Sequence, residues 1–108
     1  MGSTSEETVL ANFDIHENVL VANVELYWEN HSEFLRCCED ILKSKHKNII
    51  LDLSNVTFIF SAYMGTIGRM LAETARNDKH LTIRITRNLS WLFEMVGFEK
   101  MVDIEIVH

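Results

Sequence analysis

A chain of 108 residues is one domain's length, enough to bury a core without disulfide or metal staples. An apolar share of 47% and a charged share of 24% belong to a globular protein rather than a disordered chain. With 16 acidic residues against 10 basic ones and a net charge of −6, the chain lacks the basic footprint that nucleic-acid phosphates demand.

The first residues, MGSTSEET, offer no apolar core for a signal peptide, and no run is long enough to span a bilayer. Glu6 breaks the myristoylation pattern, and Gly2-Ser3 is compatible with a cloning remnant. No direct membrane insertion is expected. Residues 1–6 are set aside as a disordered tail, with a single domain over 7–108.

Val9 to Ile15 alternates loosely, placing Val9, Ala11, Phe13 and Ile15 on one face. His16-Glu17-Asn18 then makes a tight connection to a second strand over Val19 to Val24, so the two form an antiparallel hairpin. Asn30, His31 and Ser32 precede an amphipathic helix running to about Ser44. Phe34, Leu35, Cys38, Ile41 and Leu42 share its apolar face, and the basic run Lys43 to Lys47 complements its C-terminus. Cys37 and Cys38 are helical neighbours pointing in different directions, which disfavours a disulfide between them. Reduced thiols and a cytoplasmic location follow.

The stretch Ile49 to Ala75 holds the centre of the chain. Ile49, Ile50, Leu51 and Leu53 are apolar on both sides of the pleat, which predicts a central strand covered on both faces. A loop from Ser54 to Ala62 leads to a helix from about Tyr63 to Asn77. Met64, Ile67, Gly68, Leu71 and Ala75 are expected to face the core, with Arg69 and Glu73 spaced for an ion pair. Tyr63, Met70 and Thr74 fall on a flank that suits either a contact surface or a wide core stripe. Gly65 and Gly68 cost a helix about 1 kcal/mol each relative to alanine, so they should permit close packing. Ser61 stands just ahead of the helix, where a hydroxyl caps free amides and an added phosphate would meet the positive end of the dipole.

Leu81 to Thr86 alternates as a half-exposed strand. Asn88 is placed to cap a short helix with Leu89, Leu92, Phe93 and Val96 inward, stopped by Gly97. Trp91 and Met95 lie on its opposite side. A last turn over Phe98 to Met101 precedes a final strand with Val102, Ile104 and Ile106 in alternation. The order β-β-α-β-α-β-α-β predicts an α/β fold, a mixed four- to five-stranded sheet with helices packed mainly on one side.

Catalytic patterns are scarce. No nucleotide-binding phosphate loop, nucleophile elbow or zinc-protease helix occurs, and the five histidines sit in polar turns or at element ends. Asp52 closes the central strand without a second acid, base or metal ligand beside it, and an aspartate opening a loop is a turn former. No enzyme, cofactor or metal is expected.

Four segments together resemble a STAS domain, the module shared by sulfate transporters and bacterial anti-sigma factor antagonists. They are VELY (Val24 to Tyr27), NIILDLSNVTFI (Asn48 to Ile59), SAYMG (Ser61 to Gly65) and WLFEMVGFEKMV (Trp91 to Val102). In antagonists of that family a serine at the loop–helix junction is phosphorylated by a kinase that is also the anti-sigma factor, and phosphorylation ends the binding. The resemblance implies Ser61 as phosphoacceptor and a histidine-kinase-like anti-sigma factor as partner. Partner-binding candidates on the 58–70 surface are Phe58, Phe60, Ala62, Tyr63, Met64, Thr66 and Met70, with Trp91 beyond it. The chain departs from the family loop at Phe60 (aspartate), Ala62 (a hydroxyl residue) and Tyr63 (glycine), the last being expected to narrow access to Ser61. It also has Val24 and Tyr27 where the family often has glycine and aspartate. A STAS subunit bound constitutively in a larger transport or signalling complex is the second reading, and a small-molecule or nucleotide-binding domain or enzyme a distant third. Homodimerisation through Tyr63, Met70, Trp91 or Met95 stays open.

Overall fold

The structure, a computed structural model, describes residues 11–107. The expected tail and Val9 lie outside them. Strands β1 (Phe13–His16) and β2 (Val19–Ala22) form the antiparallel hairpin, turning through Glu17 and Asn18 with Glu17 left-handed at φ 56°. Helix α1 (His31–Leu42) leads to β3 (Asn48–Leu53), α2 (Ala62–Arg76) to β4 (His80–Thr86), and α3 (Ser90–Met95) to β5 (Asp103–Val107). Short 3₁₀ turns occupy Trp28–Asn30, Arg87–Leu89 and Phe98–Lys100.

The five strands lie side by side in chain order, with every pair after the hairpin parallel. Each parallel pair needs a crossover, and crossovers are right-handed almost without exception. Because the chain steps the same way at every strand, each crossover comes to rest on the same face. One row on that face runs Leu20–Leu51–Ile83–Ile104 across the register, under Phe34, Ile41, Ile67, Met70 and Phe93 of the helices. The same rule corrects one expectation. Strand β3 is central but not covered on both faces: Ile50 and Asp52 are half-buried on the open side. There Arg84 Nε lies 2.9 Å from Glu105 Oε1, with a longer 3.7 Å approach to Asp52. Asp52 also accepts the Ser54 amide at 2.9 Å, as a turn former does.

Helix α1 buries Phe34, Cys38 and Ile41 and half-buries Leu35 and Leu42, as its periodicity predicts. Its C-terminus is capped from elsewhere. The Lys79 ammonium donates to the carbonyls of Leu42 and Ser44 at 3.0 and 2.6 Å, a role expected of Lys43 to Lys47. Burial pushes the Cys38 thiol to about 12, with Cys37 and Glu39 adding to it, so it behaves as an inert apolar group.

Helix α2 is rotated from its predicted setting. Tyr63, Thr66, Ile67, Met70, Leu71 and Thr74 are buried, while Met64 and Gly68 are half-buried and Ala75 is exposed. The helix packs against α1 as well as the sheet, which widens its buried arc toward Tyr63 and Met70. Glu73 pairs with Arg76 rather than with Arg69. The two glycines do not mark tight packing: a Cβ at Gly68 would meet Phe98 at an ordinary 3.6 Å, and one at Gly65 would meet nothing within 4 Å. Gly65→Ala is therefore expected to raise unfolding free energy by about 0.8–1 kcal/mol, the helix-propensity difference alone. Urea denaturation checks this, and a loss of stability would mean that position 65 is closely packed.

Around α3, Leu89 just before the helix and Phe93 within it are buried and Leu92 is half-buried, but Val96 falls beyond the helix end and is exposed. Leu89 holds the cap position expected of Asn88. Gly97 stops the helix at φ 78°, the left-handed conformation glycine adopts without cost.

Candidate functional site

The segments following β2 and β3 leave the sheet at the carboxyl ends of neighbouring parallel strands, where α/β sheets usually carry their sites. Three connections join them into one surface. Leu26 and Ile59 form an isolated parallel bridge, the Leu26 amide donating to Phe58 O at 3.1 Å and the Phe60 amide to Leu26 O at 2.8 Å. The Glu25 carboxylate accepts the Thr57 amide (2.7 Å), the Thr57 hydroxyl (2.6 Å) and the Phe58 amide (2.9 Å). The Tyr63 hydroxyl donates to Tyr27 O at 2.6 Å, tying α2's first turn to the same loop.

Those bonds set the electrostatics. Partial burial works to raise the Glu25 pKa, but the donors from Thr57 and Phe58 outweigh it and hold the carboxyl below its ordinary value. A lowered folded-state value means the clamp's contribution is complete above the ordinary value of 4.5 and is lost as the pH falls through the lower folded-state value. Protection of the Thr57 and Phe58 amides, measured against their intrinsic exchange rates, should therefore fall on acidification below 4.5, and a Glu25→Gln variant should show no such step. Burial pushes the Tyr63 phenol up to about 12, with Glu29 and Glu33 adding to the shift, so it remains a donor.

Ser61 occupies the cap position of α2 and is exposed, but it does not cap. Its backbone is already helical (φ −57°, ψ −29°) and its hydroxyl bonds no first-turn amide. Phe60 O and Ser61 O accept the Tyr63 and Met64 amides instead. The hydroxyl thus stands at the positive end of a 15-residue helix without a cap bond to break. Tyr63 does not screen it, because that ring is fully buried against Phe34 and His31 at centroid distances of 5.1 and 4.8 Å.

Burial sorts the partner-binding candidates. Phe58 and Phe60 are exposed, and Ala62 and Met64 are half-buried at the rim. Tyr63, Thr66 and Met70 belong to the core and cannot form part of a contact surface in this conformation. Thr66 instead meets His31 Nε2 at 2.8 Å. Trp91 is exposed on α3 beside Met95, but its indole is in contact with none of the rings near Ser61 among the described residues.

Two exposed residues beside this loop are absent from the partner-binding candidates. Tyr27 is 47% exposed and Trp28 68%, against 47% for Phe58 and 36% for Phe60. Tyr27 packs on Phe58 at 5.3 Å, and Trp28 meets Phe60 edge-on at 5.8 Å and stacks on His31 at 6.5 Å. These two contacting pairs of exposed aromatics, on segments joined by the Leu26–Ile59 bridge, are apolar surface of the kind that marks contact sites. Their signal was two adjacent aromatics with no place in any apolar period, just ahead of a helix.

No group of three or more His, Cys, Asp or Glu side chains comes together to hold a metal among the described residues. Nor is any helix among them long and apolar enough to cross a membrane.

Comparison with known proteins agrees with this geometry. The family model described as STAS domain matches residues 11–106. No curated protein matches the chain. Among solved structures, the crystal structure of a candidate anti-sigma factor antagonist from Thermotoga maritima superposes with a TM-score of 0.74 at 22% identity, covering 88% of this chain and 85% of that one. An NMR structure of the same protein gives 0.70 at 22% identity over 99% and 91%. An anti-sigma factor antagonist from Mycobacterium paratuberculosis gives 0.67 at 15% identity over 88% and 83%. Identities this low speak to the fold alone. With the family model spanning nearly all of the described sheet and helices, the chain belongs to the STAS domain family.

Proposed function

We propose that this protein is a non-enzymatic regulatory module of the anti-sigma factor antagonist type, acting in the bacterial cytoplasm on transcription. Its partner is a histidine-kinase-like anti-sigma factor, bound through the surface around Phe58, Phe60 and Ser61. The observation that carries the reading is the exposed Ser61 hydroxyl at the N-terminus of α2, free of a capping bond. A phosphate there adds about −1.5 to −2 charges where the helix dipole welcomes them, so the fold tolerates what a closed interface would not. Incubation with the partner kinase and ATP, followed by mass spectrometry, tests it. A phosphate on Ser61 supports the switch, and an unmodified Ser61 sinks it.

A second reading rests on Phe60. Where the resemblance implies aspartate before the serine, this chain exposes an aromatic ring packed on Trp28. That suits a STAS subunit held constitutively in a larger complex, with Ser61 unmodified.

A further inference from the structure

The surface around Tyr27, Trp28, Phe58 and Phe60 has one-sided chemistry. The contacts that join it come from residues 25–31 and 57–63, and neither stretch contains a lysine or an arginine. All ten lysines and arginines lie elsewhere in the chain. The chain from β2 into α1 carries three carboxylates, Glu25, Glu29 and Glu33. Glu25 is occupied by Thr57 and Phe58, and Glu33 accepts from Asn12 at 2.9 Å. Glu29 follows Trp28 directly, is exposed, and makes no ion pair among the described residues.

Aromatic faces carry negative π density, and a guanidinium stacks on them while its N–H edge bonds a carboxylate. An ammonium is better hydrated and lacks the planar stacking face. A purely apolar partner would leave Glu29 desolvated and unpaired, which is costly. We infer that the surface of Tyr27, Trp28, Phe58 and Phe60, with exposed Glu29 next to Trp28 in the chain, receives an arginine side chain from a basic segment of the partner protein. This rests on the protein-binding reading above and specifies its chemistry. Trp28 supplies the stacking face, Phe60 holds that indole edge-on, and Glu29 takes the guanidinium's N–H groups.

The test uses blocked tripeptides whose central residue is arginine, lysine or citrulline, titrated into the full chain and followed by amide and indole NMR shifts. Arginine should give saturable shifts centred on Tyr27–Glu29, Phe58–Ser61 and the Trp28 indole. Lysine should give weaker ones, and citrulline, which keeps the shape without the charge, none. Trp28→Ala and Glu29→Gln should each weaken arginine binding about 3- to 30-fold, and both sites are exposed enough to leave the amide spectrum otherwise native. Equal shifts with citrulline, or shifts centred on the acidic face of α1 at Glu39 and Asp40, overturn the inference. Its failure is separable from that of the functional reading. If Trp28→Ala leaves binding of the partner kinase intact, the arginine site is wrong and the antagonist reading stands. If the peptide binds but no kinase does, the reverse holds.

Discussion

Tyr63→Ala is expected to cost about 3–5 kcal/mol of unfolding free energy, the range for truncating a buried aromatic. Domains of this size have about 5–15 kcal/mol in total, so the variant should sit close to unfolding at ordinary temperature. The expectation follows from where the ring sits: fully buried, between Phe34 of α1 and His31, with its hydroxyl on Tyr27 O. Tyr63→Phe separates packing from the hydrogen bond. It keeps the ring and should cost only about 1–2 kcal/mol, mostly for the carbonyl left unsatisfied. Urea unfolding of both variants decides the matter. If alanine cost no more than phenylalanine, Tyr63 would not be the core residue described here. Because Tyr27 O anchors the aromatic loop, hydrogen exchange in residues 25–30 should quicken in Tyr63→Phe even though the fold survives.

Ser61→Asp should weaken partner binding at least about 30-fold, the lower end of the penalty for an unpaired charge buried at an interface. The same substitution should leave the free protein intact, or stabilise it by about 0.3–1 kcal/mol, because a carboxylate at the N-terminus of α2 meets the positive end of the dipole. The opposite signs make the experiment informative. Calorimetric binding and thermal unfolding on the same sample read both. Binding preserved with stability unchanged would favour the constitutive subunit over the switch. A loss of both would mean that the substitution had disturbed the fold.

Much of this architecture is legible from apolar spacing. The hairpin, the order of helices and strands, the buried face of α1 and the glycine stop at Gly97 all follow from period and turn chemistry. What misled lies in α2. Thr66 and Thr74 look polar in the sequence, yet both are buried because their hydroxyls find partners close at hand: Thr66 meets His31 and Ala62 O, and Thr74 donates to Leu71 O at 2.8 Å. A wheel weighted by hydropathy therefore turned toward Met64 and Ala75 and away from the side that α1 covers. Charge pairing failed for a related reason: two partners lay within reach of Glu73 along the helix, and spacing does not choose between Arg69 and Arg76. The site was half visible. Ser61, Phe58 and Phe60 lie in one contiguous stretch, whereas Tyr27 and Trp28 join them only through the Leu26–Ile59 bridge and the Glu25 clamp, which are long-range contacts.

Strand order that repeats chain order has a consequence for synthesis. Every strand after the first pairs with one already translated, so no edge must wait for a distant partner to leave the ribosome. The sheet can lengthen strand by strand, each crossover helix settling as its strand docks. The ribosome would thus deliver the loop carrying Ser61 against a surface whose other half, residues 25–30, had already emerged.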